Sequence, residues 1–452
     1  MRLYRRELKF EYFLIFFILL QPFIDLLTSF SIFILEVDLT FGIFIRFSVM
    51  FLVCIYILLS NYSHKKAVIT YFVALAAVLL FGFVSNYFVK DTYSLFTEVK
   101  HYAKVVYFPI LLFGYLIVFE KIRNNKNLQE KVYKYVFISM VVISIVMIIS
   151  ELTNTQIMSY NSEKIGHQGW FFAGNELGAI LAINLGIVAY VTIKNTKSIK
   201  DIYRWIPLAL IIYSMLQLGT KVGYGAVLII LLIALILSVY EFWKNRKSEI
   251  KKEYKISIGL NILFLILFLI YTPFAPVVSN MNIHFGWVGL DKIFENEESG
   301  KASQEDPIQD LDPEKKRKAI ENVVFSGREK FLSLYKEAYR EAPLVQKVFG
   351  MGYGGNNANN GNPIEMDFHD LFFSLGIAGF LVYLVPLLYF AFRILISLFK
   401  GFKQKFNLEF VLNGASILMG LGIAYTAGHT LIAPAVSIYL AVIIANLYRK
   451  YV

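Results

Sequence analysis

Runs of apolar residues, each long enough to form a membrane-crossing helix, follow one another along most of this chain. An α-helix needs about 20 predominantly apolar residues to cross ~30 Å of hydrocarbon. A helix satisfies its own backbone hydrogen bonds there, whereas an open sheet does not. The sequence therefore predicts an all-α polytopic membrane protein with about twelve transmembrane helices. The runs occupy roughly residues 10–35, 40–60, 67–89, 102–119, 132–151, 171–193, 205–219, 222–241, 256–274, 369–393, 408–427 and 429–448.

The composition excludes an ordinary soluble protein of this length. Of the 452 residues, 57% are hydrophobic and only 17% are charged, which is far from the globular average. Cys54 is the only cysteine and lies in the second predicted span, so we expect no disulfide or cysteine-based metal site in the loops. The sequence has no fixed-period repeat and no Walker, G-x-S-x-G, H-E-x-x-H or C-x-x-C motif. ATP-driven pumping and zinc peptidase chemistry therefore lack support.

Basic residues are distributed unequally between the two sets of loops. The loops on the N-terminal side carry 27 Lys and Arg, and the short loops on the other side carry five. Because cytoplasmic loops retain Lys and Arg, we predict that both termini are cytoplasmic and that the long loop is outside. The net charge of +11 is then a consequence of topology and lipid contact, and we expect no nucleic-acid partner. The first span is too long for a signal peptide, so we expect it to be retained.

We divide the chain into three parts on this basis. Residues 1–274 hold spans one to nine, residues 275–368 form a large extracytoplasmic loop, and residues 369–452 hold the last three spans. The stretch 295–318 is polar and acidic, with little apolar periodicity, and cannot bury enough surface to fold alone. We expect the remaining loop to form short helices that cap a cavity open to the outer leaflet.

An amphipathic helix is predicted within this loop. Ser326 and Glu329 form a capping-box pattern, and apolar residues between Phe331 and Tyr339 recur at helical spacing until Pro343 stops the helix. Arg328 then lies in the first turn, where unpaired N–H groups and the helix dipole favour an anion. Its guanidinium fork adds bidentate geometry for phosphate. The alternative is a solvated surface arginine.

Two further features follow in the second half of the loop. The glycine-rich run from Phe349 to Gly355 gives only a weak signal: it lets backbone approach a ligand, or it is a tight turn. His369 lies where the chain re-enters the membrane, with Glu365, Asp367 and Asp370 nearby. A histidine at this boundary can take or give a proton near neutral pH. The alternative is a structural interfacial histidine.

Charged and polar side chains also interrupt the apolar runs. Burying a central charge costs about 2.5–3.5 kcal/mol or more, so such residues normally face an interior cavity. Lys221 occupies a very short outer turn between two spans, and its alternative role is to snorkel to lipid headgroups. Asn175 and Glu176 open the sixth span and are candidates for binding sugar hydroxyls; the alternative is a close-packed helix start. Asp25, Arg46 and His429 complete this set.

Three local motifs together resemble the O-antigen ligase and polymerase family of bacterial envelope enzymes. They are Gly327-Arg328 before a short helix, the turn Val348–Gly352, and the span start Phe368–Gly379. The family usually has asparagine where this chain has Asp370, and an arginine is common where it has Lys221. Lysine lacks the bidentate fork of arginine.

The resemblance implies a metal-independent, inverting glycosyltransferase of GT-C-like fold without a cofactor. Its donor would be an undecaprenyl-diphosphate-linked glycan, used with a glycan acceptor at the outer face of the bacterial cytoplasmic membrane. Arg328 and Lys221 would hold the leaving diphosphate, and His369 would orient or deprotonate the attacking hydroxyl. Four residues are weaker candidates for the glycan cavity: Asn175, Glu176, Arg46 and Asp370.

Three functions are compatible with this resemblance and topology. The first is a polymerase that joins lipid-linked repeat units, working with a chain-length regulator and a flippase. The second is a ligase that transfers the finished glycan to another acceptor. The third, a transporter of the lipid-linked glycan, is disfavoured because the two halves of the chain look unlike each other. Richness in Lys, Ile, Asn and Phe hints at an AT-rich genome, and on that ground we favour the polymerase.

Overall fold

The computed structural model describes residues 2–160, 163–288, 317, 321–354 and 363–452. Most of the predicted polar stretch 295–318 and the asparagine-rich segment after Gly354 lie outside the described residues. The described helices are α1 (Arg2–Phe33), α2 (Phe41–Leu59), α3 (Lys65–Val89), α4 (Leu95–Lys121), α5 (Lys126–Leu152), α6 (Gly174–Asn195), α7 (Ile206–Gln217), α8 (Lys221–Lys244), α9 (Lys251–Tyr271), α10 (Pro276–Val288), α11 (Arg328–Glu341), α12 (Leu344–Phe349), α13 (Asp367–Lys400), α14 (Phe402–Lys405), α15 (Leu408–Thr426) and α16 (Pro434–Tyr451).

Within the described residues, ten helices are long and apolar enough to cross a membrane. The chain is therefore an all-helical polytopic membrane protein, as the sequence predicts, and ten of the about twelve predicted spans meet this criterion of length and apolarity. The segments that fall short correspond to the predicted spans at 205–219 and 429–448. The ten helices that qualify are α1 to α6, α8, α9, α13 and α15.

Helices α7 and α16 fail the criterion of length and apolarity for different physical reasons. Helix α7 has only 12 residues, about 18 Å at 1.5 Å per residue, because a 3₁₀ helix occupies Ile199–Trp205 before it. Helix α16 has 18 residues, but Asn446 and the basic residues of its last turn lower its apolarity. Almost all of α16 is buried among other helices, so it needs no continuous lipid-facing apolar surface.

The centre of the bundle is formed by α4, α6 and α16. Helix α16 packs along α4, and α6 packs against α15 and α8. Apolar residues cover all sides of α6, as expected for a helix enclosed by protein. At Gly186 a Cβ would lie 2.6 Å from the carbonyl oxygen of Leu412 and 2.5 Å from the Ser416 hydroxyl. This glycine therefore permits the close approach of α6 and α15.

One end of the bundle, here called the basic end, joins loops that the sequence assigns to the same side. The Ser63 hydroxyl and backbone N–H donate to Glu120 at 2.8 and 2.9 Å. Arg449 forms an ion pair with Glu120 at 2.5 Å, and Lys450 forms one with Glu409 at 2.5 Å. These contacts bring together the 60–64 loop, the end of α4, the start of α15 and the C-terminal turn, which supports the predicted grouping.

The opposite end, here called the loop end, carries the described part of the long loop. The Asn280 amide of α10 accepts from the N–H of Ile165 at 2.7 Å and donates to the carbonyls of Ile165 and Gly219 at 2.6 and 2.9 Å. Helix α10 is thereby fixed on the turn between α7 and α8. Helix α11 buries Tyr335 in a small apolar cluster that includes Phe373 of α13.

The glycine-rich turn docks into a break in α13. Gly376 has φ 66° and ψ −176° and interrupts the helix. The N–H groups of Met351 and Gly352 donate to the carbonyls of Phe373 and Ser374 at 2.9 and 3.2 Å. At Gly350 a Cβ would lie 2.0 Å from the Ser374 carbonyl oxygen. The glycines thus allow this segment of backbone to approach α13, in agreement with the tight-turn alternative.

Two buried polar side chains hold the same turn against α3 and α4. Glu98 accepts from the N–H groups of Tyr353 and Gly354 at 2.7 and 2.5 Å. The Asn86 amide donates to the Gly350 carbonyl at 3.0 Å. Both side chains are fully buried, and their hydrogen bonds offset the cost of burial.

We predict that Gly376→Ala destabilises the fold markedly. An alanine at positive φ costs about 1–2 kcal/mol, and its Cβ would lie 2.3 Å from the Gly350 nitrogen and 2.5 Å from the Val348 carbonyl oxygen. The matched control is Gly259→Ala in α9, where no atom lies within 4 Å of the added Cβ. Thermal unfolding in detergent should show a clearly lower Tm for Gly376→Ala only. Equal Tm values would contradict this account of the turn.

Candidate active site

Helix α11 presents Arg328 at its first position, but not through the predicted capping box. The helix runs from Arg328 to Glu341 and its N-cap is Gly327, with φ 90° and no side-chain cap. Ser326 has φ 56°, and Glu329 instead accepts from the Asn322 amide at 2.5 Å. The predicted helix is confirmed, whereas the predicted cap is wrong because Ser326 adopts a left-handed backbone conformation.

The Arg328 side chain is 15% exposed and only partly paired. Its Nη2 donates to Glu365 Oε2 at 3.0 Å, and Nη1 makes a long contact of 3.4 Å to the Phe325 carbonyl. Its Nε is buried and has no hydrogen-bond partner among the described residues. Arg328 is therefore not the solvated surface arginine of the alternative interpretation.

His429 joins this pair from the turn between α15 and α16. Its Nε2 lies 3.8 Å from Glu365 Oε2, which is an ionic contact beyond hydrogen-bond length. The interaction with His429 lowers the pKa of Glu365 below its usual value, with Arg328 assisting and burial opposing. Burial acts to lower the pKa of His429, but Glu365, Glu176 and Asp367 together raise it above its usual value. The Glu365 carboxylate thus lies between the Arg328 guanidinium and the His429 imidazole.

Glu365 and His429 both adopt a left-handed backbone conformation. Glu365 has φ 61° and His429 has φ 59°, and such conformations cost roughly 1–3 kcal/mol at a non-glycine residue. Asp367 holds the His429 turn, because its carboxylate accepts from the N–H groups of His429, Thr430 and Leu431 at 2.9, 2.8 and 2.6 Å. Strain retained in this way is typical of binding sites.

Asp370 holds the backbone on both sides of Glu365. Its carboxylate accepts from the N–H groups of Ile364 and Met366 at 2.9 and 3.1 Å. The side chain is buried within the protein. It binds the backbone of the two residues that flank Glu365, and it is not among the residues that line the cavity around Arg46.

Arg328, Glu365 and His429 are here called the Arg328 cluster. His369 follows Glu365 by four positions and lies on the first turn of α13. Its ring centroid is 5.7 Å from that of Tyr425, and its Nδ1 is buried without a hydrogen-bond partner among the described residues. Tyr425 also contacts Phe325 at 6.4 Å, whose carbonyl oxygen lies against Arg328. Tyr425 and Phe325 thus link His369 to Arg328, two residues that are 41 positions apart in the sequence.

Lys221 approaches the cluster from the start of α8. Its Nζ donates to the Val323 carbonyl at 2.9 Å, just before α11. The Thr220 hydroxyl accepts from the Gly223 N–H at 3.1 Å and caps α8. Lys221 also lies within electrostatic range of Arg328. As predicted from the short turn, Lys221 is held near the arginine.

Arg46 lines a separate cavity of about 270 Å³. Its Nη2 donates to Asp25 at 2.6 Å and its Nε to Gln21 at 3.2 Å, and all three side chains are mostly buried. Glu176, Lys100 and Lys104 also line this cavity. The predicted grouping of Arg46 with Glu176 is therefore present in the fold.

Asn175 does not share that position. It is exposed on the first turn of α6 and is absent from the lining of the Arg46 cavity. Glu176 connects the cavity to the cluster, because its charge contributes to raising the pKa of His429. Pro434, at the start of α16, also lines the cavity. The cavity and the Arg328 cluster are thus neighbours.

The sequence does not reveal His429 and Glu365 as partners of Arg328. Both residues stand out in the sequence, but His429 falls at the start of a predicted span, whereas in the structure it lies in the turn between Thr426 and Pro434, before α16 begins. The available signal was Gly428-His429 at the predicted outer boundary, on the same side as His369. Within the described residues, no group of three His, Cys, Asp or Glu could hold a metal ion.

Comparison with known protein families matches residues 7–450 to the family described as O-antigen ligase like membrane protein. Comparison with curated proteins gives no match. The family match covers nearly the whole chain, including both the Arg46 cavity and the Arg328 cluster. It confirms the resemblance indicated by the sequence motifs.

We predict a pH dependence of stability that His429 controls. The stabilisation by Glu365 is present above its usual pKa of 4.5 and is lost as pH falls through its lowered pKa. The stabilisation by His429 is complete below its usual pKa of 6.5 and is lost as pH rises through its raised pKa. The ionic contact is therefore strongest between these usual values.

The measurement is thermal unfolding against pH for the wild type, His429→Gln and the control His64→Gln, an exposed histidine at the basic end. The stability lost by His429→Gln should be largest in mildly acidic solution and should shrink as pH rises past the raised pKa. His64→Gln should follow the wild type. A constant difference between wild type and His429→Gln across this range would refute the assignment.

Proposed function

The chain belongs to the O-antigen ligase like membrane protein family, and from this premise we propose that it is a polysaccharide polymerase. The family consists of membrane enzymes of lipid-linked polysaccharide assembly and implies glycosyltransferase-type chemistry. In our proposal the enzyme joins undecaprenyl-diphosphate-linked oligosaccharide repeat units at the outer face of the cytoplasmic membrane. Both termini are then cytoplasmic, and the loop end faces outward.

The observation that carries this proposal is that two side chains beside the loop end, Arg328 and His369, each keep a nitrogen atom without a partner. Arg328 Nε and His369 Nδ1 are buried and have no hydrogen-bond partner among the described residues. Buried polar atoms in native proteins are normally satisfied, and a bound substrate would satisfy these two nitrogens. A cationic donor and an imidazole suit a phosphate-bearing donor substrate and an attacking hydroxyl.

The leaving group would be held by Arg328 and Lys221. Glu365 accepts from Nη2 of Arg328 and fixes the guanidinium, while Nε stays free to donate. Negative charge grows on the diphosphate as its bond to the anomeric carbon breaks, and preoriented cations stabilise that charge. Lys221 supplies a second cation without a fork.

His369 would act on the acceptor hydroxyl. The hydroxyl oxygen attacks the anomeric carbon, the carbon–oxygen bond to undecaprenyl diphosphate breaks, and the hydroxyl proton passes to the imidazole. A single displacement of this kind inverts the anomeric configuration and requires no metal. Arg46 and Glu176, on the wall of the neighbouring cavity, would contact the glycan.

We expect Arg328→Ala and His369→Ala to abolish long glycan chains while the protein stays inserted and abundant. Loss of one charge-stabilising donor typically lowers the rate by roughly 10²–10³-fold. The control is Arg340→Ala, an exposed arginine in the last turn of the same helix. Glycan length in cells that carry each variant as the sole copy would be read by gel electrophoresis. Full-length polymer from either variant would remove that residue from the mechanism.

A further inference from the structure

Two cavities adjoin at the basic end, away from the Arg328 cluster. One has a volume of about 300 Å³ and the other of about 400 Å³. They share four lining residues: Ser63, His64, Tyr448 and Arg449. The pair therefore forms one continuous recess, here called the basic-end groove.

The two halves of the groove differ in polarity. The first half lies between α3, α4 and α13 and is walled by apolar and aromatic side chains that include Val68, Phe113, Pro386 and Phe390. The second half contains Arg123, Arg393 and Arg449 with Glu120. An apolar slot that opens into a cationic recess matches an amphiphile with an anionic head.

The cationic half has an excess of positive charge. Arg449 is neutralised by Glu120 at 2.5 Å and also donates to the Leu116 carbonyl at 3.2 Å. Arg123 and Arg393 have no carboxylate within 4.0 Å among the described ion pairs, and Arg393 donates to the Tyr389 hydroxyl at 3.0 Å. Two guanidinium groups are thus available to an anion.

Two tyrosine hydroxyls in the apolar half lack partners. The hydroxyls of Tyr62 and Tyr71 are buried and have no hydrogen-bond partner within the described part of the chain. Buried hydroxyl groups are normally satisfied. Each could donate to an acceptor that lies between an apolar tail and a charged head, as the ester carbonyls of a glycerophospholipid do.

We propose that the basic-end groove binds an anionic glycerophospholipid of the adjacent leaflet. An acyl chain occupies the apolar half, ester carbonyls accept from Tyr62 and Tyr71, and the phosphate lies beside Arg123 and Arg393. This site is independent of the glycosyltransferase proposal, because the groove contains none of the residues assigned to the reaction. It also gives the basic residues at this end a specific partner beyond their general attraction to the membrane surface.

The test measures binding of phosphatidylglycerol and phosphatidylcholine to the purified full chain by native mass spectrometry. We expect phosphatidylglycerol to bind preferentially, and Arg123→Gln with Arg393→Gln to weaken its binding roughly tenfold or more. Arg246→Gln with Lys247→Gln is the charge-matched control, since both residues are exposed and lie outside the groove. Tyr71→Phe should weaken binding of both lipids, and Tyr87→Phe, an exposed tyrosine on the same helix, should not.

Three outcomes would overturn the proposal. Equal binding of the two lipids would show that the arginines do not select an anionic head. An equal loss of phosphatidylglycerol binding in the control double variant would show that only the net charge of the protein matters. If excess inorganic phosphate displaced phosphatidylglycerol and itself stayed bound, the groove would be a binding site for a free anion. Thermal unfolding of each variant would show whether it remains folded.

Discussion

The Asp367 carboxylate is the interaction on which the loop end depends. It is fully buried and accepts three backbone N–H groups from residues 429–431, which joins the start of α13 to the turn before α16. A buried carboxylate is costly unless it is hydrogen-bonded, and charge-assisted bonds contribute about 1.5–3 kcal/mol each. This joint sets the position of His429. Asp367 also lies two residues before His369 at the start of α13, so it ties both histidines to one joint.

The described part of the long loop is held at the mouth of the bundle by backbone contacts as much as by side chains. The turn at Gly350 and Gly352 pairs with the break in α13 at Gly376, while Glu98 and Asn86 bind it from α4 and α3. These contacts restrict the motion of the turn and hold α12 in a fixed position against α13. Helix α13 carries His369. The glycines therefore serve the site indirectly, through the geometry of the helix that presents the histidine.

Much of this architecture could be predicted from the sequence, because long apolar runs and helix stops are local signals. The limits of α11 and the position of Lys221 near Arg328 followed from motifs and topology. The His429–Glu365 contact did not, since it joins residues 64 positions apart through two left-handed conformations that no periodicity reveals. The predicted capping box is wrong for a similar reason, because Ser326 also adopts a left-handed conformation. Helix α16 is stabilised by burial inside the bundle and not by apolarity alone.

The most direct test of the proposed chemistry is made on the purified protein. It would be incubated in detergent with undecaprenyl-diphosphate-linked oligosaccharide from its own host, in the presence of EDTA, and the products would be separated by size. We expect a ladder of lipid-linked products spaced by one repeat unit. Transfer of a single glycan to an added acceptor would contradict the polymerase and indicate a ligase. Absence of any covalent product from a competent substrate would contradict the glycosyltransferase itself.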